Sequence, residues 1–125
     1  MEGKKNMSVI EKVVGGSFLI EDVDPQSVVT PEDLNEEQHM FGQTAKDFVE
    51  KEIVPHDEEI EKLNYELTVK LMRKAGDLGL LGVDIPEVYG GLGLDKVSST
   101  LISENSAKAS SLALSMGAHV GIGTL

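Results

Sequence analysis

Leu78-Gly79-Leu80-Leu81-Gly82-Val83-Asp84-Ile85-Pro86-Glu87-Val88-Tyr89-Gly90-Gly91-Leu92-Gly93-Leu94 is the stretch on which the fold turns. It lacks the sustained apolar-polar alternation of a half-buried strand, and it is dense in glycine, so it reads as a connection between helices. Gly90, Gly91 and Gly93 permit positive φ and close backbone contact, and Pro86 fixes the entry. A sharp crossing between two packed helices follows. The competing reading is a loop that cradles phosphate. No strand precedes it, Gly90-Gly91-Leu92-Gly93 lacks the dinucleotide spacing, and no Lys-Ser or Lys-Thr pair follows. Shaping of the backbone is therefore the preferred role.

Helical periods flank the loop on both sides. Upstream, Leu67, Leu71, Met72, Ala75 and Leu78 predict a helix from Tyr65 to Leu78, with Gly79 as its left-handed cap and Arg73 and Lys74 near its negative end. Further upstream, Phe41, Ala45, Phe48, Val49 and Ile53 form one apolar stripe, with Lys46, Glu50, Lys51 and Glu52 mainly elsewhere. Two start signals precede it: Thr30-Pro31-Glu32-Asp33, then a capping box of Asn35 with Gln38. Pro55 interrupts this run, and Ile60 and Leu63 predict a further turn or two closed by Asn64. Downstream, Asp95 caps a helix through Val97, Leu101, Ile102 and Ala107. Ser110 or Ser111 starts a fourth, through Leu112, Ala113, Leu114, Met116, Ala118, Val120, Ile122 and Leu125. Apolar nearly all round, it is expected to be a buried central helix. The fold class is all-α, a helical bundle. A last helix that reaches Leu125 with no stop signal leaves its final carbonyls without partners, so the chain is expected to be truncated there.

At 125 residues the chain has room for one domain. Residues 1–29 mix Lys, Gly and Ser with short apolar groups (Val9-Ile10, Val13-Val14, Phe18-Leu19-Ile20) and read as an extended arm; residues 30–125 form the helical domain. A net charge of -11 repels phosphate backbones and anionic lipid, which disfavours nucleic-acid binding. With no cysteine, disulfides and thiolate metal sites are excluded. Met1-Glu2-Gly3-Lys4-Lys5 has no apolar run behind it, and no stretch approaches the roughly 18 apolar residues of a membrane span. A cytoplasmic protein without an integral membrane segment is the expectation.

The loop string resembles the helix-loop segment of acyl-CoA dehydrogenases, whose pattern is G-(L)-x-G-x-x-x-P-E-x-Y-G-G-x-G. Asn35-Glu36-Glu37-Gln38 with Phe48-Val49 and Ile53-Val54-Pro55 is similar to the first helix of that family. Leu101-Ile102-Ser103-Glu104 and Gly117-Ala118-His119-Val120-Gly121-Ile122-Gly123 resemble the helices after the loop. Three separated matches in the right order cover about residues 30–125, the N-terminal helical domain, closest to long-chain and very-long-chain members.

The resemblance implies an enzyme that binds FAD and a fatty acyl-CoA, removes the α proton with a glutamate base, and passes the β hydrogen to the flavin as hydride, in fatty acid β-oxidation. Electrons then leave to an electron-transferring flavoprotein, and the full-length protein is expected to be a homo-oligomer. The base and most flavin contacts belong to later domains in this family, so no catalytic, flavin-binding or metal residue is assigned within 1–125. The fourth helix lies along the acyl chain in the family, which places Leu114, Ser115, Ala118 and Gly121 at the pocket wall. Tyr89, Gly90 and Gly91 are possible borders of the channel. Leucine and alanine leave an apolar, roomy path, so a long-chain substrate is preferred.

Other titratable residues receive structural readings. His119 is expected to be partly buried and bonded to a backbone carbonyl, with no carboxylate partner to make it an acid or base. His39 and His56 sit beside acids on solvated faces, Glu58, Glu59 and Glu61 form a wet helix face, and Glu104 is structural. Two alternatives remain: an acidic helical module that binds a protein partner and has no enzymatic activity, and the corresponding domain of a related acyl-CoA oxidase.

Overall fold

The structure is a computed structural model and describes Val13 and residues 15–124. The groups at Met1 to Lys5, Val9-Ile10, Val14 and Leu125 lie outside the described residues. The chain divides into two units, Met1–Leu34 and Asn35–Leu125.

The first unit consists of short 3-10 turns at Ser17–Leu19, Pro25–Ser27 and Pro31–Asp33. Local polar pairs shape it. The Asp24 carboxylate accepts from the Gln26 N–H at 2.9 Å, and the Val13 N–H donates to the Ser27 carbonyl at 2.8 Å. Thr30-Pro31-Glu32-Asp33 starts one turn and no more: the Thr30 N–H donates to the Asp33 carboxylate at 3.0 Å, and Leu34 is extended.

The second unit is built of helices joined by turns and a glycine loop, with no strand among the described residues: α1 Glu36–Phe48, α2 Asp57–Glu61, α3 Tyr65–Asp77, α4 Lys96–Ser106 and α5 Ser110–Ala118. No helix there is long and apolar enough to cross a membrane. The Asn35 box closes reciprocally: Gln38 N–H to Asn35 Oδ1 at 2.8 Å, and Asn35 N–H to Gln38 Oε1 at 2.9 Å. The stripe Ala45, Phe48, Val49 and Ile53 is buried. Pro55 does not break the run abruptly. Its ring would meet the carbonyl four residues back, and the chain widens into a π turn at Val49–Ile53 and tightens into a 3-10 turn at Val54–His56 before α2 begins.

Asn64 opens a helix where the sequence predicts that it closes one. Its side chain accepts from the Leu67 N–H at 3.1 Å at the start of α3, and the reversal before it is made by exposed Leu63 at φ +62°. Periodicity alone does not distinguish a closing Asn from a capping one. The far end of α3 follows the prediction. Gly79, at φ +78°, donates to the Gly76 carbonyl at 2.9 Å, and Leu80 donates to the Ala75 carbonyl at 3.0 Å. This paired bonding needs a left-handed residue, and it turns Leu80 into the core against Ala75.

α1 and α4 run parallel and close. Gln38 pairs with Asp95, Gly42 lies where an added Cβ would be 3.3 Å from Asn105, and Glu50 faces Lys108. Leu80 and Val83 from the loop join Leu71, Ile102, Leu112 and Met116 in one core. α5 is not surrounded within this chain. Leu112 and Met116 are buried, but Leu114 and Ile122 are 78% and 77% exposed, because α2 and α4 cover only one side of it.

Candidate functional site

The glycine loop is closed on itself. Gly91 passes so near Ile85 that an added Cβ would sit 2.1 Å from the Ile85 carbonyl oxygen. Gly90 and Gly93 take positive φ on either side. The N–H groups of Tyr89, Gly90, Gly91, Leu92, Gly93 and Leu94 donate to the carbonyls of Pro86, Glu87, Pro86, Gly82, Ile85 and Val83 respectively. No donor in that run is left to receive a phosphate, so the loop does not fit the diphosphate of a flavin or nucleotide. Its contribution is shape. Tyr89 projects outward, 81% exposed, over a groove bordered by Asp84, Lys96 and Val120.

α5 is anchored from outside its own sequence. Glu61, on α2, accepts from the Ser111 N–H at 3.1 Å and also from the Ser111 hydroxyl. Those two bonds, the hydroxyl first, hold the Glu61 carboxyl below its ordinary range. A carboxylate at a helix N-terminus satisfies an orphan donor and meets the positive end of the dipole. Glu61 is thus more than part of a wet face. Glu59 also has partners, His56 Nδ1 at 3.1 Å and Asn64 Nδ2 at 3.4 Å.

α5 and the π turn that continues it, His119–Gly123, present two faces. The inner face closes a cleft of about 100 Å³ against α4, lined by Leu80, Ile102, Ser106, Ala113, Gly117 and Val120 among others. Ser99 and Ser103 share that wall, and their hydroxyls donate back to the Lys96 and Ser99 carbonyls. The Ser106 hydroxyl is buried without a hydrogen-bond partner among the described residues. The outer face carries Leu114, Ala118 and Gly121 at helical spacing, all exposed. Ser115 is half-buried, and its hydroxyl donates to the Ser111 carbonyl at 3.4 Å.

The structure therefore brings three of the four expected wall residues onto one open apolar stripe and turns Ser115 toward the chain. Ala113, Gly117 and Ser106 at the cleft were not singled out from sequence. The available signal was the Ser99, Ser103, Ser106 repeat on α4, which lies toward α5. His119 is exposed, not partly buried, because the π turn carries it to the open side. His39 and Glu104 are exposed as well.

Residues 35–125 match the acyl-CoA dehydrogenase, N-terminal domain. The chain belongs to this family. Among its relatives, a "Probable acyl-CoA dehydrogenase" of Bacillus subtilis (strain 168) is 54% identical over 111 residues, 89% of this chain and 19% of the relative. A mitochondrial isovaleryl-CoA dehydrogenase of Solanum tuberosum is 37% identical over 91 residues, 71% of this chain and 22% of the relative. A crystal structure of an acyl-CoA dehydrogenase complexed with FAD, from Bacillus anthracis, superposes with a TM-score of 0.81 at 48% identity, covering 88% of this chain and 19% of that one. The acyl-CoA dehydrogenase N-terminal domain described here thus spans about a fifth of the length of the relatives it matches.

Proposed function

We propose that this chain is the N-terminal part of a flavin-dependent acyl-CoA dehydrogenase acting in the α,β-desaturation of long-chain fatty acyl-CoA, and that the outer stripe of α5 is one wall of the acyl slot. The observation that carries this is the open stripe Leu114, Ala118, Gly121 on a helix whose other side is packed and capped. Seven residues at a helical rise give about 10 Å of surface along the apolar positions Leu114, Ala118 and Gly121, with His119 exposed beside them. The flavin relation rests on the solved relative complexed with FAD. The N–H groups from Tyr89 to Leu94 are all bonded within the loop, and on this reading most flavin contacts and the base belong to later domains, as the family resemblance implies. What these residues do is exclude water from the tail and fix its direction, so that the reactive end meets groups placed elsewhere.

Electron-transferring flavoprotein as acceptor, assembly as a homo-oligomer and a cytoplasmic location belong to the same proposal. A second reading of the slot is favoured by the inner cleft, where the Gly117 backbone leaves room between α4 and α5. The function is tested on the full-length protein by its absorption spectrum. A yellow protein bleached by a long-chain acyl-CoA without oxygen supports the proposal; a colourless protein, or a flavin that thioesters leave oxidised, overturns it. Rapid oxygen consumption during turnover would assign the oxidase alternative instead.

A further inference from the structure

The first unit carries an exposed apolar turn: Phe18, Leu19 and Ile20 are 42%, 76% and 88% exposed. They stand on a 3-10 turn whose bonds, Ile20 N–H to Ser17 carbonyl at 3.0 Å and Glu21 N–H to the same oxygen at 2.9 Å, hold the three side chains out as a shaped element. Glu21, Asp22 and Asp24 follow at once. Three adjacent large exposed apolar groups followed by acids combine the apolar and polar parts of a docking patch.

A match over 111 of 125 residues includes residues 15–111 wherever it begins, so the Bacillus subtilis relative aligns across Phe18 to Ile20. Those 111 residues are 19% of it, a length of about 580. The isovaleryl-CoA dehydrogenase matches over 91 residues, the size of the helical domain itself; at 22% its length is about 410. The Bacillus anthracis chain, matched over 88% of this one and 19% of itself, is again of the longer kind. The arm is thus shared by relatives with about 170 additional residues, enough for a further domain.

We propose that Phe18, Leu19 and Ile20 dock on that additional region of the same polypeptide, in an apolar hollow bordered by basic side chains that meet Glu21, Asp22 and Asp24. The arm straps the extra domain to the enzyme body. This rests on the reading of the chain as part of a longer enzyme, and the flavin spectrum of the same preparation reports on that reading separately.

The test uses the full-length protein. A benzophenone placed at position 19 by incorporating p-benzoylphenylalanine in place of Leu19 is photolysed and the cross-linked peptides are mapped. Cross-links within one polypeptide, to residues absent from the shorter relatives, are expected. The double variant Phe18→Ser, Ile20→Ser should abolish them and raise amide exchange about tenfold in both the arm and its partner region, with acyl-CoA bleaching retained. Cross-links to residues 35–125 or to a second copy would overturn the proposal, as would none at all or a full-length polypeptide of only about 410 residues. In each case bleaching by acyl-CoA would leave the proposed enzymatic function standing.

Discussion

The Gln38 amide donates to the Asp95 carboxylate at 2.9 Å and thereby ties together the starts of two parallel helices. Gln38 already completes the capping box of α1, and Asp95 accepts from the Ser98 N–H and the Ser98 hydroxyl, both at 2.8 Å, as the cap of α4. Parallel neighbours bring two positive dipole ends close together. The Asp95 carboxylate between them offsets that repulsion while it satisfies orphan donors of α4.

Asp95→Ala should therefore destabilise the chain by about 1–2 kcal/mol, the upper range for losing a cap, because the buried Gln38 amide also loses its acceptor. Gln38→Ala combined with it should cost less than the sum of the single changes, since both remove one shared bond. Urea unfolding of the four proteins measures this; strictly additive losses would contradict it.

The pH dependence has a defined sign. The Ser98 N–H first, then the Ser98 hydroxyl and the Gln38 amide, hold the Asp95 carboxyl below its usual range, against partial desolvation. A depressed folded value means stability that is present above the unfolded value of about 3.9 and lost as the pH falls through the lower folded one. Asp95→Asn should be less stable than the parent at neutral pH, and the two should converge below about pH 3.9. A gap that persists unchanged in acid would contradict this account of the charge.

Two glycines should respond oppositely to alanine. At Gly91 the new methyl would overlap the Ile85 carbonyl, backbone that cannot rotate away, and a loss of about 1–3 kcal/mol or more is expected. Gly117, in α5, has nothing within 4 Å of an added Cβ, and Gly117→Ala should gain about 0.5–1 kcal/mol from helix propensity. Thermal denaturation of both variants decides the matter.

The open face of α5 should make the isolated chain bind an apolar dye or self-associate, and Leu114→Ser with Ile122→Ser should reduce either signal. A dye-silent monomer with a sharp melt would contradict the view that this face is made to be covered.

Much of this was legible in the residues because the relevant interactions are local. The Asn35 box, the Gly79 cap and the Asp95 cap each act within a few positions, and the stripe from Ala45 to Ile53 declares its period. Asn64 misleads because the same side chain that ends a helix also starts one, and only the reversal at Leu63 tells which. Glu61 misleads because its partner, Ser111, lies fifty residues away. Within this chain α5 stays open on one side: an all-apolar helix shows how much surface must be covered and nothing about what covers it. The inner cleft was hidden for a related reason: Gly117 and Ser106 matter there through an opening between two helices, which no period encodes.

The central claim is that the outer stripe of α5 is a wall of the acyl slot. Its most direct measurement is the chain-length profile of kcat/KM in the full-length protein carrying Ala118→Phe or, separately, Gly117→Val. Ala118→Phe is expected to lower the value for long acyl chains relative to short ones by about tenfold, as steric loss of apolar contact demands, with Gly117→Val having the smaller effect. An Ala118→Phe enzyme whose profile matches the parent would contradict the claim, and the inner cleft would take its place if Gly117→Val alone shortened the preferred chain.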